Sequence, residues 1–313
     1  MPSPIYTALK RAYRAVHRGA LRKALPSLGW NVYPSRDFYS PLPVLSELEK
    51  TRELWDKPSE MVGVRYDIEK MKTILERCVE HFSDEYTSLP GYEDVKTLGM
   101  GPGFTIIDAM TLYFMVRDLK PHRFFEIGSG FSTYYSWQAV QKNREEGIET
   151  TYQVVDPFPR DRMRKLEGIS VKAAPAQEVP LEFFAQLGAG DVLFIDTTHV
   201  LKLGGELAYL FMEVIPRLKP GVTVHVHDIH FPYNVPYPAQ QYVFDSKWGS
   251  YWTEAMLLQA FLAFNSDFEI YYSAPMLRHF DEPYLAKTIP GYQPVEVEDY
   301  DTHFGSIWFR RSV

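Results

Sequence analysis

Apolar residues follow two different periods along the 313-residue chain. Up to residue 120 they recur every three to four positions, which predicts helices at 5–25, 66–82 and 105–118. The stretches 26–45 and 83–103 between them are rich in proline or glycine, which predicts loops. This part of the chain therefore has the pattern of a helical region.

From residue 121 onward, short apolar runs alternate with longer amphipathic segments. The runs predict strands at 123–128, 151–157, 192–196, 222–228, 268–274 and 306–311. The longer segments predict helices at 131–143, 205–218 and 252–264. Strands that alternate with helices form parallel sheets, whereas the last strand follows a long irregular stretch and is predicted to be antiparallel. We therefore expect a helical extension or cover at 1–100 and an α/β domain at 101–313.

Composition narrows the class of protein. The net charge of −7 argues against a nucleic-acid binder. The single cysteine, Cys78, forms no internal disulfide and belongs to no paired zinc motif, which favours a reducing compartment. No run approaches 18 apolar residues, and the N-terminus lacks the apolar core of a signal peptide. These features predict a cytoplasmic protein.

The predicted helix 5–25 is the one strongly basic segment. It carries no acid, and its basic residues are Lys10, Arg11, Arg14, Arg18, Arg22 and Lys23. One interpretation is a peripheral contact with an anionic membrane or with an acidic protein partner. The other is a solvated face on a helix that packs against its own acidic chain.

A glycine-rich turn follows the first predicted strand. Gly128 and Gly130 allow a sharp turn and a close approach to a ligand, and the next helix points its N-terminus at the same place. Glu126 precedes them and offers a carboxylate to a ligand ammonium group. A dinucleotide-binding turn would have a third glycine where this chain has Thr133, which argues against a dehydrogenase.

The sequence Glu126-Ile-Gly-Ser-Gly resembles motif I of the class I S-adenosylmethionine (SAM)-dependent methyltransferases. The resemblance implies a Rossmann-like α/β sheet, mostly parallel with an antiparallel last strand. It also implies that an acid at the end of the second strand, here Asp156, binds the ribose hydroxyls. The cofactor-binding residues implied are Glu126, Gly128, Ser129, Gly130, Ser132, Asp156 and Asp196.

Two later strands end in a group of ionisable residues. The group consists of Asp196, His199, His225, His227, Asp228 and His230. Carboxylates and imidazoles that converge at two strand ends are suitable ligands for a divalent metal. The alternative is that His225 is a core histidine and His230 a surface loop residue.

The group also resembles the metal-dependent O-methyltransferases of sugars and natural products, and the related cephalosporin-hydroxylase-like proteins. That resemblance implies that Asp196 and Asp228 bind a metal and that His199 is the general base. The family has a glutamate where this chain has His227, a change that favours borderline ions over magnesium. The ions considered are Mg, Mn, Fe and Zn, with Asp196, His227 and Asp228 as ligands.

Aromatic residues make up 15% of the chain, and many lie at 229–251. The candidates for contact with an acceptor are Tyr233, Tyr237, Tyr242, Trp248 and Trp252. The alternative is a loop packed on the protein or a homo-oligomer interface. Segment 31–43, with Arg36 and Tyr39, is a second candidate cover.

These features predict a SAM-dependent methyltransferase that methylates a hydroxyl of a small molecule or saccharide with the help of a metal. Two alternatives stay open. One is an N- or carboxyl-methyltransferase, which does not need His199 as a base. The other is a non-catalytic SAM-binding protein that regulates a partner.

Overall fold

The protein was examined as a computed structural model that describes most of the chain. The described residues are 10–12, 24–30, 38–100, 103–247 and 249–312. Most of the predicted helix 5–25 lies outside them, as do Arg36 and Trp248. The chain divides into two compact units, residues 1–55 and 56–313. The predicted division into a helical extension or cover at 1–100 and an α/β domain at 101–313 stays a prediction.

Within the described residues of the first unit, two short helices lie near its end, α1 (Leu45–Lys50) and α2 (Arg52–Trp55). A 3-10 turn, Pro26–Leu28, precedes them. The indole Nε1 of Trp55 donates a hydrogen bond to the carbonyl of Leu48 at 3.0 Å.

The second unit contains the remaining described helices. They are α3 (Ile68–Thr87), α4 (Tyr92–Thr97), α5 (Ile106–Leu119), α6 (Phe131–Glu145), α7 (Leu181–Phe184), α8 (Glu206–Tyr209), α9 (Glu254–Leu262) and α10 (Ala274–Thr288). Shorter helical turns are Met163–Lys165, Ala176–Glu178, Leu210–Val214, Ile215–Arg217, Gln240–Asp245 and Tyr300–Thr302. None of the described helices combines the length and apolar content needed to cross a membrane.

Seven strands form one sheet in the second unit. They are β1 (Arg123–Ile127), β2 (Thr151–Val155), β3 (Ile169–Lys172), β4 (Val192–Ile195), β5 (Thr223–His227), β6 (Phe268–Tyr272) and β7 (Ser306–Arg311). Their order is β3-β2-β1-β4-β5-β7-β6. The first five are parallel to one another, whereas β7 runs antiparallel to both β5 and β6. The predicted mostly parallel sheet with an antiparallel last strand is therefore confirmed.

The elements absent from the sequence prediction include strand β3 and helix α10. Strand β3 lies at the sheet edge and alternates between half-buried and exposed residues, so it has no apolar run. Helix α10 contains Pro275 in its first turn and Pro283 beyond a kink at Asp281. The stretch before the last strand is therefore not wholly irregular. Proline in the first turn costs no helix hydrogen bond, which is why the helix starts there despite it.

The predicted loop at 83–103 is also partly wrong. Helix α3 continues to Thr87, and α4 occupies Tyr92–Thr97. Helix α3 begins at a capping residue, Asp67, whose Oδ1 accepts the backbone N–H of Lys70 at 3.0 Å. Tertiary packing extends it, because α3 lies against α5 and α10.

The register of the central strands determines where the polar residues meet. Ile127 pairs with Ile195, and Ile195 pairs with Val226. The carboxyl ends of β1, β4 and β5 are thus side by side. Strands β4 and β5 are buried along their whole length. The ionisable residues at this edge are His227, which ends β5, and Asp196 and Asp228, which directly follow β4 and β5.

Candidate active site

The glycine loop, residues 128–130, follows β1 and has two glycines with different constraints. Gly128 has φ +90°, and a Cβ there would lie 1.8 Å from the carbonyl oxygen of Asp196. Gly130 has extended backbone, and a Cβ there would meet only the Met100 carbonyl oxygen, at 3.8 Å, among the described residues. The close approach of β1 and β4 therefore requires Gly128, whereas packing leaves Gly130 free to change.

Glu126 is fully buried beneath this loop. Its Oε1 accepts hydrogen bonds from the hydroxyls of Ser132 at 2.7 Å and Thr133 at 2.9 Å. Its Oε2 accepts one from Tyr152. Burial raises the pKa of Glu126 to about 8, although the three hydroxyls oppose the rise. The structure thus gives Glu126 and Ser132 a role in holding the loop, while their contact with a cofactor stays a prediction.

Asp156 stands directly after β2, beside the glycine loop. One carboxylate oxygen accepts the hydroxyl of Ser129, and the other accepts the backbone N–H of Phe158 at 2.7 Å. The side chain is half-buried, so part of it faces the open edge of the sheet. The position fits the predicted binding of ribose hydroxyls, which stays a prediction.

Four residues that we call the aspartate–histidine cluster meet where β4 and β5 end: Asp196, His199, His227 and Asp228. His199 Nε2 lies 3.5 Å from Asp196 Oδ1 and 3.2 Å from Asp228 Oδ2. His227 Nδ1 lies 3.6 Å from the same two oxygens. His199 and Asp228 both have positive φ, 58° and 57°, so tight turns place both side chains here.

His227 is oriented by two neighbours outside the cluster. Its Nε2 donates to Asp108 Oδ2 at 3.3 Å, and its ring stacks on Phe104 at 4.3 Å. Its Nδ1 is buried and has no hydrogen-bond partner among the described residues. A buried ring nitrogen that faces two carboxylates is a suitable ligand atom for a cation between them.

Asp108 was not predicted as a site residue. It is fully buried in α5, where it accepts hydrogen bonds from Thr105 at 2.8 Å, Gly305 N–H at 3.0 Å and Ser306 at 2.5 Å, besides His227. Burial alone would raise its pKa, but these donors hold the pKa below its ordinary value. The sequence signal was a lone carboxylate within the apolar run of α5.

Glu254 was also missed. It is the first residue of α9, is buried, and its Oε2 accepts His199 Nδ1–H at 2.9 Å. The backbone N–H groups of Thr253 and Glu254 both donate to the His199 carbonyl, at 2.9 and 3.2 Å. Burial opposes a charged imidazole, but the three surrounding carboxylates raise the pKa of His199 to about 10.

Two of the six ionisable residues lie away from the cluster. His225 is buried between Phe194 and Trp308, which matches the core-histidine alternative, and burial lowers its pKa well below the ordinary value. The surface-loop alternative for His230 is wrong, because this ring is 1% exposed and packs against Gly305. Burial, helped by the charge of Arg278, lowers the pKa of His230 to about 3.

The donor set fits a divalent cation. One ligand atom each from Asp196, His227 and Asp228 lies within 4.8 Å of the others. Four carboxyl groups, including Asp108 and Glu254, face two imidazoles, so even with both imidazoles charged the fully ionised group carries two excess negative charges. Burial raises the pKa of Asp228 and of Glu254, which favours their neutral, protonated forms and so lowers the negative charge of the site.

Two of the candidate aromatic residues, Trp252 and Tyr242, lie near the cluster. Trp252 lies 4.6 Å from His199, and Tyr242 lies 5.4 Å from Trp252 and 6.0 Å from Tyr300. Tyr233 and Tyr237 instead pair with each other at 4.5 Å. Contact of any of them with an acceptor stays a prediction.

A cavity of about 390 Å³ adjoins the glycine loop. Its lining includes Phe131, which follows Gly130, and Arg160, which lies just beyond Asp156. Tyr300, which packs against Tyr242, lines the same cavity. The cavity therefore extends from the loop toward the aromatic cover.

Comparison with known proteins gives a family match. Residues 125–229 match the family model of a methyltransferase domain. A protein of Archaeoglobus fulgidus is 26% identical over 166 residues, which span 50% of this chain and 74% of that protein.

Two solved structures are similar over most of their length. The O-methyltransferase TomG from Streptomyces achromogenes, involved in tomaymycin synthesis and solved with SAM, is 14% identical, with 86% of this chain and 96% of that chain covered and a TM-score of 0.41. The O-methyltransferase from Bacillus cereus, solved with S-adenosylhomocysteine, is 11% identical, with 76% and 89% covered and a TM-score of 0.37.

Proposed function

We propose that this chain is a class I SAM-dependent methyltransferase that methylates a hydroxyl oxygen of a small molecule or saccharide, assisted by a divalent metal. The methyltransferase-domain match at residues 125–229 supports the transferase part of the proposal. The observation that carries the proposal is the buried, unpartnered Nδ1 of His227 facing Asp196 and Asp228. Methylation of an amine or a carboxylate has no need of such a cation site beside the cofactor.

The cofactor is assigned to the edge formed by the glycine loop and Asp156. Gly130 lacks a Cβ although its own surroundings would admit one, which a ligand lying against the backbone explains. Asp156 has a half-buried carboxylate, and carboxylates pair well with two adjacent hydroxyls. The adjoining cavity supplies room for a small molecule.

The cation would be held by Asp196, His227 and Asp228. When bound, a divalent cation lowers the pKa of a hydroxyl that it contacts and aims its oxygen. A donor set of two carboxylates and one imidazole suits manganese, iron or zinc better than magnesium. Asp196 also borders Gly128, so this residue joins the cation site to the cofactor edge.

His199 is proposed to take the proton of the acceptor hydroxyl through Nε2. Only the neutral imidazole accepts a proton, and the surrounding carboxylates raise the His199 pKa to about 10. A role as base therefore requires that Asp196 and Asp228 share their charge with a cation. The proposed base and the proposed metal depend on each other.

The first experiment is a calorimetric titration of the protein with S-adenosylhomocysteine, followed by one with Mn²⁺. We expect micromolar or tighter binding of the first, and Mn²⁺ binding that Asp228→Asn weakens at least tenfold. Asp245→Asn, at an exposed aspartate in the connection that follows β5, is the control and should bind Mn²⁺ normally.

The second measurement is release of S-adenosylhomocysteine from SAM in the presence of hydroxylated sugars and phenols, with and without a chelator. Turnover that stops with the chelator and returns with Mn²⁺ supports the proposal. Folded protein that binds no S-adenosylhomocysteine, or turnover that the chelator leaves unchanged, contradicts it.

A further inference from the structure

The two histidines of the aspartate–histidine cluster are held in the same way. Each ring turns one nitrogen inward, Nδ1 for His227 and Nε2 for His199, toward Asp196 and Asp228. Each turns its other nitrogen outward to a buried carboxylate that lies outside the cluster. Those carboxylates come from different helices, Asp108 from α5 and Glu254 from α9.

The carboxylate of Asp108 selects one form of His227. A carboxylate accepts hydrogen bonds only, so Nε2 must carry the proton, and this leaves Nδ1 as the nitrogen that can bind a metal. Asp108 cannot turn away, because Thr105, Gly305 and Ser306 hold both of its oxygens. Metal-binding histidines commonly have such a carboxylate behind them.

Glu254 orients His199 in the same way, but through the other ring nitrogen. It holds Nδ1–H, so the proton-accepting position is Nε2, which faces the cluster. The start of α9 also holds the backbone of this turn: Thr253 and Glu254 donate to the His199 carbonyl, and Leu201 N–H donates to the Thr253 hydroxyl at 2.8 Å. Ring and backbone are therefore positioned by one helix end.

Stability alone does not account for these carboxylates. A fully buried carboxylate costs more to desolvate than a neutral side chain of the same size, and pairing with an imidazole seldom repays that cost in full. Two such carboxylates, on separate helices and aimed at the outer nitrogens of adjacent histidines, indicate selection for the orientation of the imidazoles.

We propose that Asp108 and Glu254 are positioning residues, Asp108 for His227 as a metal ligand and Glu254 for His199 as the proton acceptor. The proposal rests on the proposed function, since it assigns to each histidine the task described there. It adds a division of labour: Asp108 governs metal affinity, and Glu254 governs turnover.

Zinc binding tests the first half. Asp108→Asn should weaken Zn²⁺ binding about ten- to hundredfold by calorimetry, the usual effect of removing a carboxylate behind a ligand histidine. The matched control is Asp118→Asn, in the same helix, where the aspartate bonds to Arg77. Affinity for S-adenosylhomocysteine should be unchanged in both variants. Equal Zn²⁺ affinity of Asp108→Asn and the wild type would overturn this half.

A measurement on the wild-type protein covers the case in which Asp108→Asn does not fold. With ¹⁵N-labelled histidine and bound Zn²⁺, His227 should be coordinated through Nδ1 and protonated at Nε2. Coordination through Nε2 would overturn the role of Asp108. Wild-type protein that binds no Zn²⁺ would overturn the metal in the proposed function as well, whereas a failure limited to Asp108→Asn or to the tautomer would leave it standing.

Turnover tests the second half. Glu254→Gln should lower kcat at least tenfold while KM for SAM and Zn²⁺ affinity stay unchanged. The control is Glu206→Gln, because Glu206 also begins a helix and holds Thr198, next to His199, without touching the imidazole. Equal losses in both variants would show that only the turn needs support, and would overturn the role of Glu254. A normal kcat in Glu254→Gln would do the same.

Discussion

The glycine loop and the aspartate–histidine cluster lie side by side on one edge of the sheet, but their polar groups are satisfied differently. Beneath the loop, both oxygens of Glu126 accept hydrogen bonds from hydroxyls of the chain itself. In the cluster, His227 Nδ1 has no partner among the described residues, and with Asp108 and Glu254 behind the two rings four carboxyl groups face two imidazoles. Hydroxyls of the chain thus satisfy the carboxylate beneath the loop, whereas a ring nitrogen in the cluster has no partner among the described residues.

The glycine loop is needed for the path of the backbone, whereas the cluster supplies the proposed catalytic groups. Gly128 is needed so that β1 and β4 approach each other, and Glu126 is needed so that the turn stays closed. Neither requirement involves a substrate. The cluster instead concentrates charge that the fold does not balance, which is costly unless a ligand binds there. Substitutions in the two regions should therefore have different consequences.

The largest expected effect is on turnover, in the cluster. His199→Ala should lower kcat about 10²- to 10⁴-fold, the usual contribution of a general base. Binding of S-adenosylhomocysteine should stay normal, because the glycine loop is untouched. His279→Ala, at an exposed histidine, is the control. If kcat of His199→Ala is within threefold of the wild-type value, His199 is not the general base and the proposed role of the cluster is wrong.

The next effect is on folding, in the loop. Gly128→Ala should lower the free energy of unfolding by at least about 3 kcal/mol or prevent folding, because its Cβ meets the Asp196 carbonyl at a positive φ. Gly130→Ala is the matched control: its stability should stay within about 0.5 kcal/mol of the wild type. Urea unfolding measures both.

Binding of S-adenosylhomocysteine provides a second test of the glycine loop. Gly130→Ala should weaken binding of S-adenosylhomocysteine at least tenfold, because the added methyl group points to a space where, among the described residues, only the Met100 carbonyl oxygen lies within 4 Å. Normal affinity of Gly130→Ala for S-adenosylhomocysteine would mean that the ligand does not approach this glycine.

Stability should also depend on pH through Glu126, whose carboxyl group is buried beneath the loop. Its folded pKa of about 8 lies above the unfolded value of 4.5, so the folded state holds its proton more tightly. Its contribution is fully present below pH 4.5 and is lost as the pH rises to about 8, by up to about 5 kcal/mol at about 1.4 kcal/mol per pH unit.

Glu126→Gln tests this directly, because glutamine has no proton to lose. The free energy of unfolding of the variant should fall less between pH 5 and pH 8 than that of the wild type. Parallel curves for the two proteins would show that Glu126 is ionised in the folded state and that the hydroxyls of Ser132, Thr133 and Tyr152 outweigh its burial.

Several predictions from the pattern of the chain agree with the structure because they depend on local order. Alternating strands and helices predicted a mostly parallel sheet, and parallel strands bring their carboxyl ends to one edge. Asp196 and Asp228 were therefore expected to meet, and they do. Strand β3 and helix α10 escaped prediction because neither has an uninterrupted apolar pattern.

The sequence by itself determined the fold class, the glycine turn and the two strand ends that carry Asp196 and Asp228, because period and spacing encode them. Only the tertiary structure showed that Asp108 and Glu254 stand behind His227 and His199, since 119 and 55 residues separate the partners. Only the tertiary structure placed His225 in the core, because strand alternation assigns a face but not what packs against it. Contacts between distant elements depend on how helices lie on the sheet, which no local pattern specifies.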